Sequence, residues 1–181
     1  WGWLRPRPDA PVIRYRLALP PSQGMVIGTQ APVPAPDGSF LIYVGPGPSG
    51  DQLWLKRRDS HSALPIPGTV GAQTFAISPD GKWIALAASG QLRKIPVEGG
   101  TAVPLVSENV GGVFGVAWID DGSIVYVTRG ADALMRVPED GGVPSQAWRI
   151  DSMISLLPNP LPGGRGVIFE SCLPGCNEPQ L

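Results

Sequence analysis

His61 is the one histidine among 181 residues, set in the polar run Arg58-Asp59-Ser60-His61-Ser62. Zinc is held by several Cys and His ligands together, so one imidazole gives no basis for such a site. A turn histidine facing solvent is what this run predicts. Ser and Asp are abundant enough to complete a triad by count, yet no G-x-S-x-G elbow is present to expose a nucleophile. No Gly-rich nucleotide loop, catalytic-loop HRD or DFG occurs either, so these residues hold no kinase machinery. Asp37, Asp80 and the pair Asp120-Asp121 are the remaining acidic candidates. Calcium takes six to eight oxygens, often from several carboxylates close together. These Asp recur at a spacing of about 42 residues, which places them on separate structural units and predicts turn caps.

Cys172 and Cys176 flank Leu173-Pro174-Gly175, and a Pro-Gly reversal brings two such side chains near each other. A disulfide closing so small a loop would stabilise the fold by roughly 2 kcal/mol and would suit an oxidising compartment. Two free thiols, or half of a metal site whose other ligands lie elsewhere, are the competing readings.

The elements that carry these residues repeat. Gly38, Gly81, Gly122 and Gly164 each end a turn at intervals of 41 to 43 residues, and each precedes a short apolar run. In Pro36-Asp37-Gly38 and Pro79-Asp80-Gly81, Pro presets φ, Asp can bond the backbone ahead, and Gly accepts positive φ. Runs such as Phe40-Leu41-Ile42-Tyr43-Val44 and Ile124-Val125-Tyr126-Val127 are β-branched, aromatic and too short for a typical helix. They read as strands buried on both faces. A second strand follows each, with Leu53, Leu92 and Leu134 in one register. Glu98-Gly99-Gly100 and Glu139-Asp140-Gly141-Gly142 read as two-residue hairpin turns, leading to third strands over Ala102–Val106 and Gln146–Ile150. One more strand precedes each turn, at Thr74–Ile77 and Phe114–Trp118. Four antiparallel strands in about 42 residues make one blade of a β-propeller. The fold class is therefore all-β: a partial propeller of about three and a half four-stranded blades.

Composition agrees. With 24 Gly and 22 Pro, long helices have almost nowhere to form, while 43% hydrophobic content is too high for a disordered linker. A net charge of -1 supplies no field for nucleic acid, which is excluded as a partner on this ground. Arg5, Arg7, Arg14 and Arg16 cluster near the amino end and read as a solvated face. No run of 18 apolar residues exists to span a membrane.

The succession of Pro-Asp-Gly turn, apolar strand, Leu-bearing strand and Gly-Gly turn over residues 27–181 resembles the TolB-like propeller repeat, a relative of WD-repeat propellers. Trp1-Gly2-Trp3-Leu4-Arg5-Pro6-Arg7-Pro8 and Pro11–Pro20 are similar to the stretch after the membrane helix in bacterial receptor-like serine/threonine kinases with an extracytoplasmic TolB-like propeller. That resemblance implies a non-catalytic sensor or protein-interaction module, with kinase domain and membrane helix upstream of Trp1 and an extracytoplasmic location. Trp1 and Trp3 suit a membrane interface. It implies no cofactor, and a protein, peptide or glycan as ligand. The alternatives are the propeller half of a prolyl-oligopeptidase-like peptidase and a soluble periplasmic partner protein of the TolB kind.

On this reading residues 1–11 are a juxtamembrane-like linker and 12–26 hold an amino-terminal strand able to close a propeller. Blades follow at 27–70, 71–110, 111–151 and 152–181. Leu181 shares the register of Leu53, Leu92 and Leu134, so the sequence is expected to stop inside the fourth blade, with apolar blade faces exposed at its open ends. Propeller ligands meet the mouth of the central channel, which makes Thr74, Phe75, Val113 and Phe114 the geometric candidates for contact.

Overall fold

The computed structural model describes residues 19–26, 29–128, 133–149, 154–161 and 166–172, with the backbone alone for 154–157 and 170–172. The first blade comprises β1 (Val33–Pro34), β2 (Phe40–Gly45), β3 (Gln52–Arg57) and β4 (Leu64–Pro65). The second comprises β5 (Ala72–Ile77), β6 (Trp83–Ala88), β7 (Gln91–Pro96) and β8 (Val103–Pro104). The third comprises β9 (Val113–Ile119), β10 (Ser123–Thr128), β11 (Ala133–Pro138) and β12 (Ser145–Arg149). In all three, every neighbouring pair is antiparallel and the spatial order of the strands is their chain order. β13 (Ile154–Pro160) and β14 (Val167–Cys172) form a further antiparallel pair.

The Gly-ended turns work as their residue types require. Gly38 and Gly81 take φ of +69° and +72°, and their N–H groups donate to Ala35 and Ser78 carbonyls at 2.9 and 2.8 Å. An L side chain in that region costs about 1–2 kcal/mol, which explains Gly there. Asp37, Asp80 and Asp121 each accept the backbone N–H two residues on through Oδ1, at 3.0 Å in all three turns. Gly164, Leu181 and the pairing of Cys172 with Cys176 lie outside the described residues, as do the linker 1–11 and residues 12–18 of the amino-terminal strand.

The Gly-Gly connections differ from the two-residue reversals that the sequence suggests. Residues 97–102 and 139–144 link the third and fourth strands of their blades. Gly99 and Gly141 close the first reversal by donating to Pro96 and Pro138 carbonyls, at 2.8 and 2.9 Å. The chain then runs on to meet the preceding blade, where the Gly142 N–H donates to the Leu105 carbonyl at 3.0 Å. A hairpin of two residues would be too short to make that contact. The outer strand expected over Ala102–Val106 is correspondingly brief, Val103–Pro104, because Pro104 has no N–H for the ladder.

The core lies between blades. Along β6, Ile84, Leu86 and Ala88 face the first blade, packing with Ile42, Val44 and Phe75, whereas Ala85 and Ala87 face the third. Trp118 and Tyr126 of the third blade fill the space that those alanines leave. Along β10, Ile124 and Tyr126 face the second blade while Val125 and Val127 face β14, where Val167 and Phe169 meet them. Period-2 alternation with both faces apolar is thus the local signature of a sheet sandwiched between two others.

The amino-terminal side of the first blade departs from expectation. Leu41, Tyr43, Trp54 and Ala63 form an apolar row on its outer face, yet all four are buried, with Leu19 packed against them. Gln23 ties the segment down: its carbonyl accepts the Tyr43 hydroxyl at 2.9 Å, and its side-chain oxygen accepts the Ala63 N–H at 3.2 Å. The Val26 N–H donates to Val44 at 3.0 Å. An aromatic face expected to stand open is covered by the chain's own preceding residues.

Candidate interaction rim where the inner strands begin

Register brings the starts of β5 and β9 to the same end of the blades as the ends of β6 and β10. The described residues of the rim there are 46–51, 66–73, 89–90 and 107–114; the matching connection of the third blade, 129–132, which holds Arg129 and Asp132 in the sequence, lies outside the described residues. Backbone bonds knit it between blades: Gly71 N–H to Asp51 O at 2.7 Å, and Val110 N–H to Gly90 O at 2.8 Å. Among the described rim residues only Asp51 and Glu108 are charged, and none is Lys or Arg. The other turns, at 35–39, 58–63, 78–82, 97–102, 120–122 and 139–144, carry Asp37, Arg58, Asp59, Asp80, Lys82, Glu98, Asp120, Asp121, Glu139 and Asp140. Among the described residues, most of the turn charge lies on this second set.

Two β-bulges shape the rim. β5 pairs with β6 through Ala72↔Ala88 and Thr74↔Ala87, leaving Gln73 as the extra residue. β9 pairs with β10 through Val113↔Thr128 and Gly115↔Val127, leaving Phe114 as the extra residue. Bulges re-aim side chains. Gln73 is exposed and Phe114 is 36% exposed, while Ala72, Thr74 and Val113 beside them are buried. Val70 adds a further exposed apolar side chain.

The four channel-mouth candidates therefore divide. Thr74, Phe75 and Val113 have buried side chains and do not offer them to a ligand; Phe75 and Val113 belong to inter-blade cores. Phe114 alone of the four presents its ring. Ordinary alternation predicts which residues face out, and an unforeseen bulge shifts that pattern by one. Thr74 and Phe75 instead hold Gln30, whose side-chain oxygen accepts the Phe75 N–H at 2.8 Å and the Thr74 hydroxyl at 3.0 Å. Its side-chain NH₂ donates to the Phe75 carbonyl at 2.8 Å. Gln30 thereby satisfies one residue of β5 as a paired strand would. No sequence signal marks this role, since a glutamine amide standing in for a peptide group has no characteristic spacing.

The acidic turn residues are committed locally. Hydrogen bonds from Ser39, its backbone N–H foremost and its hydroxyl next, hold the Asp37 carboxyl below the usual carboxylate range. The Ser78 hydroxyl, followed by the Lys82 N–H, does the same for Asp80. His61 is exposed at its turn. Among the described residues no group of His, Cys, Asp and Glu is arranged to hold a metal ion, and no helix is long and apolar enough to cross a membrane.

Two clefts open between the second and third blades. One, of about 430 Å³, is bordered by Asp80, Trp83, Lys94, Trp118, Glu139 and Asp140. Its groups engage one another: Trp118 Nε1–H donates to Glu139 Oε2 at 3.1 Å, and Lys94 Nζ lies 5.1 Å from the Trp83 ring centre. The other, of about 510 Å³, opens beside β12 and is lined in part by Tyr126, Met135 and Gln146.

Consecutive four-stranded antiparallel sheets packed face to face, their inner strands side by side, define an arc of β-propeller blades. No protein-family model matches the sequence, and no curated protein matches it. Solved structures are similar to it: TolB from Acinetobacter baumannii superposes with a TM-score of 0.68 at 15% identity, over 82% of this chain and 39% of that one. TolB from Agrobacterium tumefaciens gives 0.63 at 23% identity, over 78% and 53%. The calcium-binding protein regucalcin from Agrobacterium tumefaciens gives 0.58 at 15% identity, over 72% and 48%. The chain spans about two fifths to one half of the length of these proteins. At such identities the likeness concerns the fold, a TolB-like propeller, and the same blades serve unrelated activities.

Proposed function

We propose that these blades are a non-catalytic protein-interaction module, extracytoplasmic, and the sensor or docking half of a membrane-anchored serine/threonine kinase. The observation that carries the interaction reading is the pair of bulges that present Gln73 and Phe114 on a rim whose described residues include two charges. The centres of protein interfaces are depleted in charge and enriched in aromatic residues, and the described part of this rim has that character. The kinase association is supported by the stretch from Trp1 to Pro20, which is similar to the juxtamembrane segment of such receptors. The likeness to TolB favours a second reading, a soluble periplasmic partner protein.

The open reading frame upstream of Trp1 discriminates the two: a kinase domain and membrane helix support the first, a cleavable signal peptide the second. Site-specific photocrosslinking from position 114 in cells tests the rim. A discrete protein adduct, lost when Gln73 and Val70 are both changed to Glu, supports it. An adduct formed equally well from exposed Asp59 on the charged turns would count against it.

A further inference from the structure

We propose that the cleft of about 430 Å³ between the second and third blades binds a guanidinium group, such as an arginine side chain carries. The seam between the first and second blades shows how this cleft arises. Strand register aligns the blades, with Phe40↔Arg57 corresponding to Trp83↔Pro96 and Ile77↔Ile84 to Trp118↔Ile124. A shared backbone bond extends the alignment: the Val97 and Glu139 N–H groups donate to the Lys82 and Gly122 carbonyls, both at 2.9 Å. Phe40, Leu55, Ile77 and Val97 therefore stand in the first seam where Trp83, Lys94, Trp118 and Glu139 stand in the second.

The first four are each no more than 8% exposed and belong to one closed apolar core. The second four all border the cleft. A repeat that can close this place with four apolar side chains has supplied two indoles, an ammonium and a carboxylate instead. Both walls belong to described blades, with the first blade packed beyond one and β14 beyond the other.

Charge selects the occupant. The carboxylates of Asp80, Asp120, Glu139 and Asp140 line the cleft, against the single ammonium of Lys94. Lys94 serves Asp140 and lies over the Trp83 ring, and Lys82 lies 3.6 Å from Asp80. Glu139 accepts the Trp118 N–H through Oε2, and neither Glu139 nor Asp120 meets a cation among the described residues. Lys94 already demonstrates that a cation is held here between indole and carboxylate. An anion would face an excess of negative charge. Guanidinium suits the place better than a second ammonium, because its planar fork bonds carboxylates in pairs and its face stacks on aromatic rings. The cleft lies among the charged turns, apart from the rim where the inner strands begin, and the proposal stands independently of that reading.

The test is an NMR titration of the full chain, followed at the indole N–H signals of Trp83 and Trp118. The probes are arginine amide, the blocked tripeptide Gly-Arg-Gly, the same tripeptide with citrulline in place of arginine, and N-acetylglutamate. Both arginine probes are expected to shift the two signals saturably, and the uncharged citrulline peptide to bind at least tenfold more weakly. Asp120→Asn and Glu139→Gln should each weaken arginine binding about tenfold. Neither should move the melting temperature, because Asp120 is exposed and the glutamine side chain keeps an acceptor for the Trp118 N–H. Tighter binding of the tripeptide than of arginine amide supports the site and assigns it to a partner protein's arginine; equal affinities support it as a site for a free guanidino compound. The proposal is overturned if neither arginine probe shifts the signals, if citrulline binds as well as arginine, or if N-acetylglutamate binds more tightly. Undiminished binding by both variants would overturn it too.

Discussion

Lys94 of the second blade reaches Asp140 of the third at 3.3 Å, across the seam between them. The preceding seam carries the same device, with Arg57 of the first blade paired to Glu98 of the second. Glu98 and Asp140 both stand one residue before the Gly that closes their blade's outer turn, so each blade offers an acid there to a base on the blade before it. The repeat encodes inter-blade contacts as well as strands.

The two ends of the Lys94–Asp140 pair differ in burial, Lys94 being 13% exposed and Asp140 92%. Asp140→Ala should therefore cost less than about 1 kcal/mol, and less still at high salt. Lys94→Ala should cost more, roughly 1–2 kcal/mol, because its stem packs and its ammonium lies over Trp83. Urea melts at low and high salt check both. Equal losses for the two variants would contradict this division.

The alanine face of β6 is a packing requirement. Ala85→Leu should destabilise by about 1–3 kcal/mol through overpacking against the third blade. Trp118→Ala should cost about 3–5 kcal/mol by leaving a cavity at the same place. Combining Ala85→Leu with Trp118→Leu should recover part of the loss, a coupling that a double-mutant cycle would measure.

Gln30→Ala removes the partner of three polar groups on Thr74 and Phe75. Leaving buried groups unsatisfied costs roughly 1–3 kcal/mol. The loss should be accompanied by faster hydrogen exchange at the Phe75 amide. A variant with wild-type exchange at that amide would show that the side-chain amide is not what protects it.

Burial lifts the Tyr43 hydroxyl to about 12 from an ordinary value near 10. The folded chain thus keeps this proton longer than the unfolded chain. Its contribution is complete below about pH 10 and is lost as pH rises toward 12. Tyr126 is raised in the same direction, also by burial. Tyr43→Phe should flatten the alkaline limb of the stability curve. At neutral pH it should lose about 0.5–1.5 kcal/mol, for the hydrogen bond to the Gln23 carbonyl. An alkaline limb that Tyr43→Phe leaves unchanged would exclude Tyr43 as its source.

Asp80 works in the opposite sense. Its carboxyl is held low by the Ser78 hydroxyl and the Lys82 N–H, so its contribution is present above the ordinary carboxylate range and is lost as pH falls through the lowered value. Ser78→Ala should raise that value, readable by carboxyl-carbon NMR titration. An unshifted titration would assign the lowering to Lys82.

The all-β class, the blade repeat and the residues of its tight turns were legible because turn chemistry is local: Asp80 and Gly81 act within a few residues of themselves. Strand faces were legible for the same reason, since alternation along Ile84-Ala85-Leu86-Ala87 is written in consecutive residues. The outer face of the first blade was not, because the contact of Gln23 with Tyr43 and Ala63 joins segments 20 and 40 residues apart.

The candidate rim was only partly readable. Phe114 could be chosen from its place where a strand enters its blade, but a bulge decides which of Val113 and Phe114 faces out, and it depends on how β9 and β10 are registered. By itself the sequence determined the kind of unit, its period and its turns, all set by torsional preference and short-range hydrogen bonds. Tertiary structure alone decided which apolar face meets which blade and that Gln30 stands in for a strand, because those depend on distances between segments that no local pattern records.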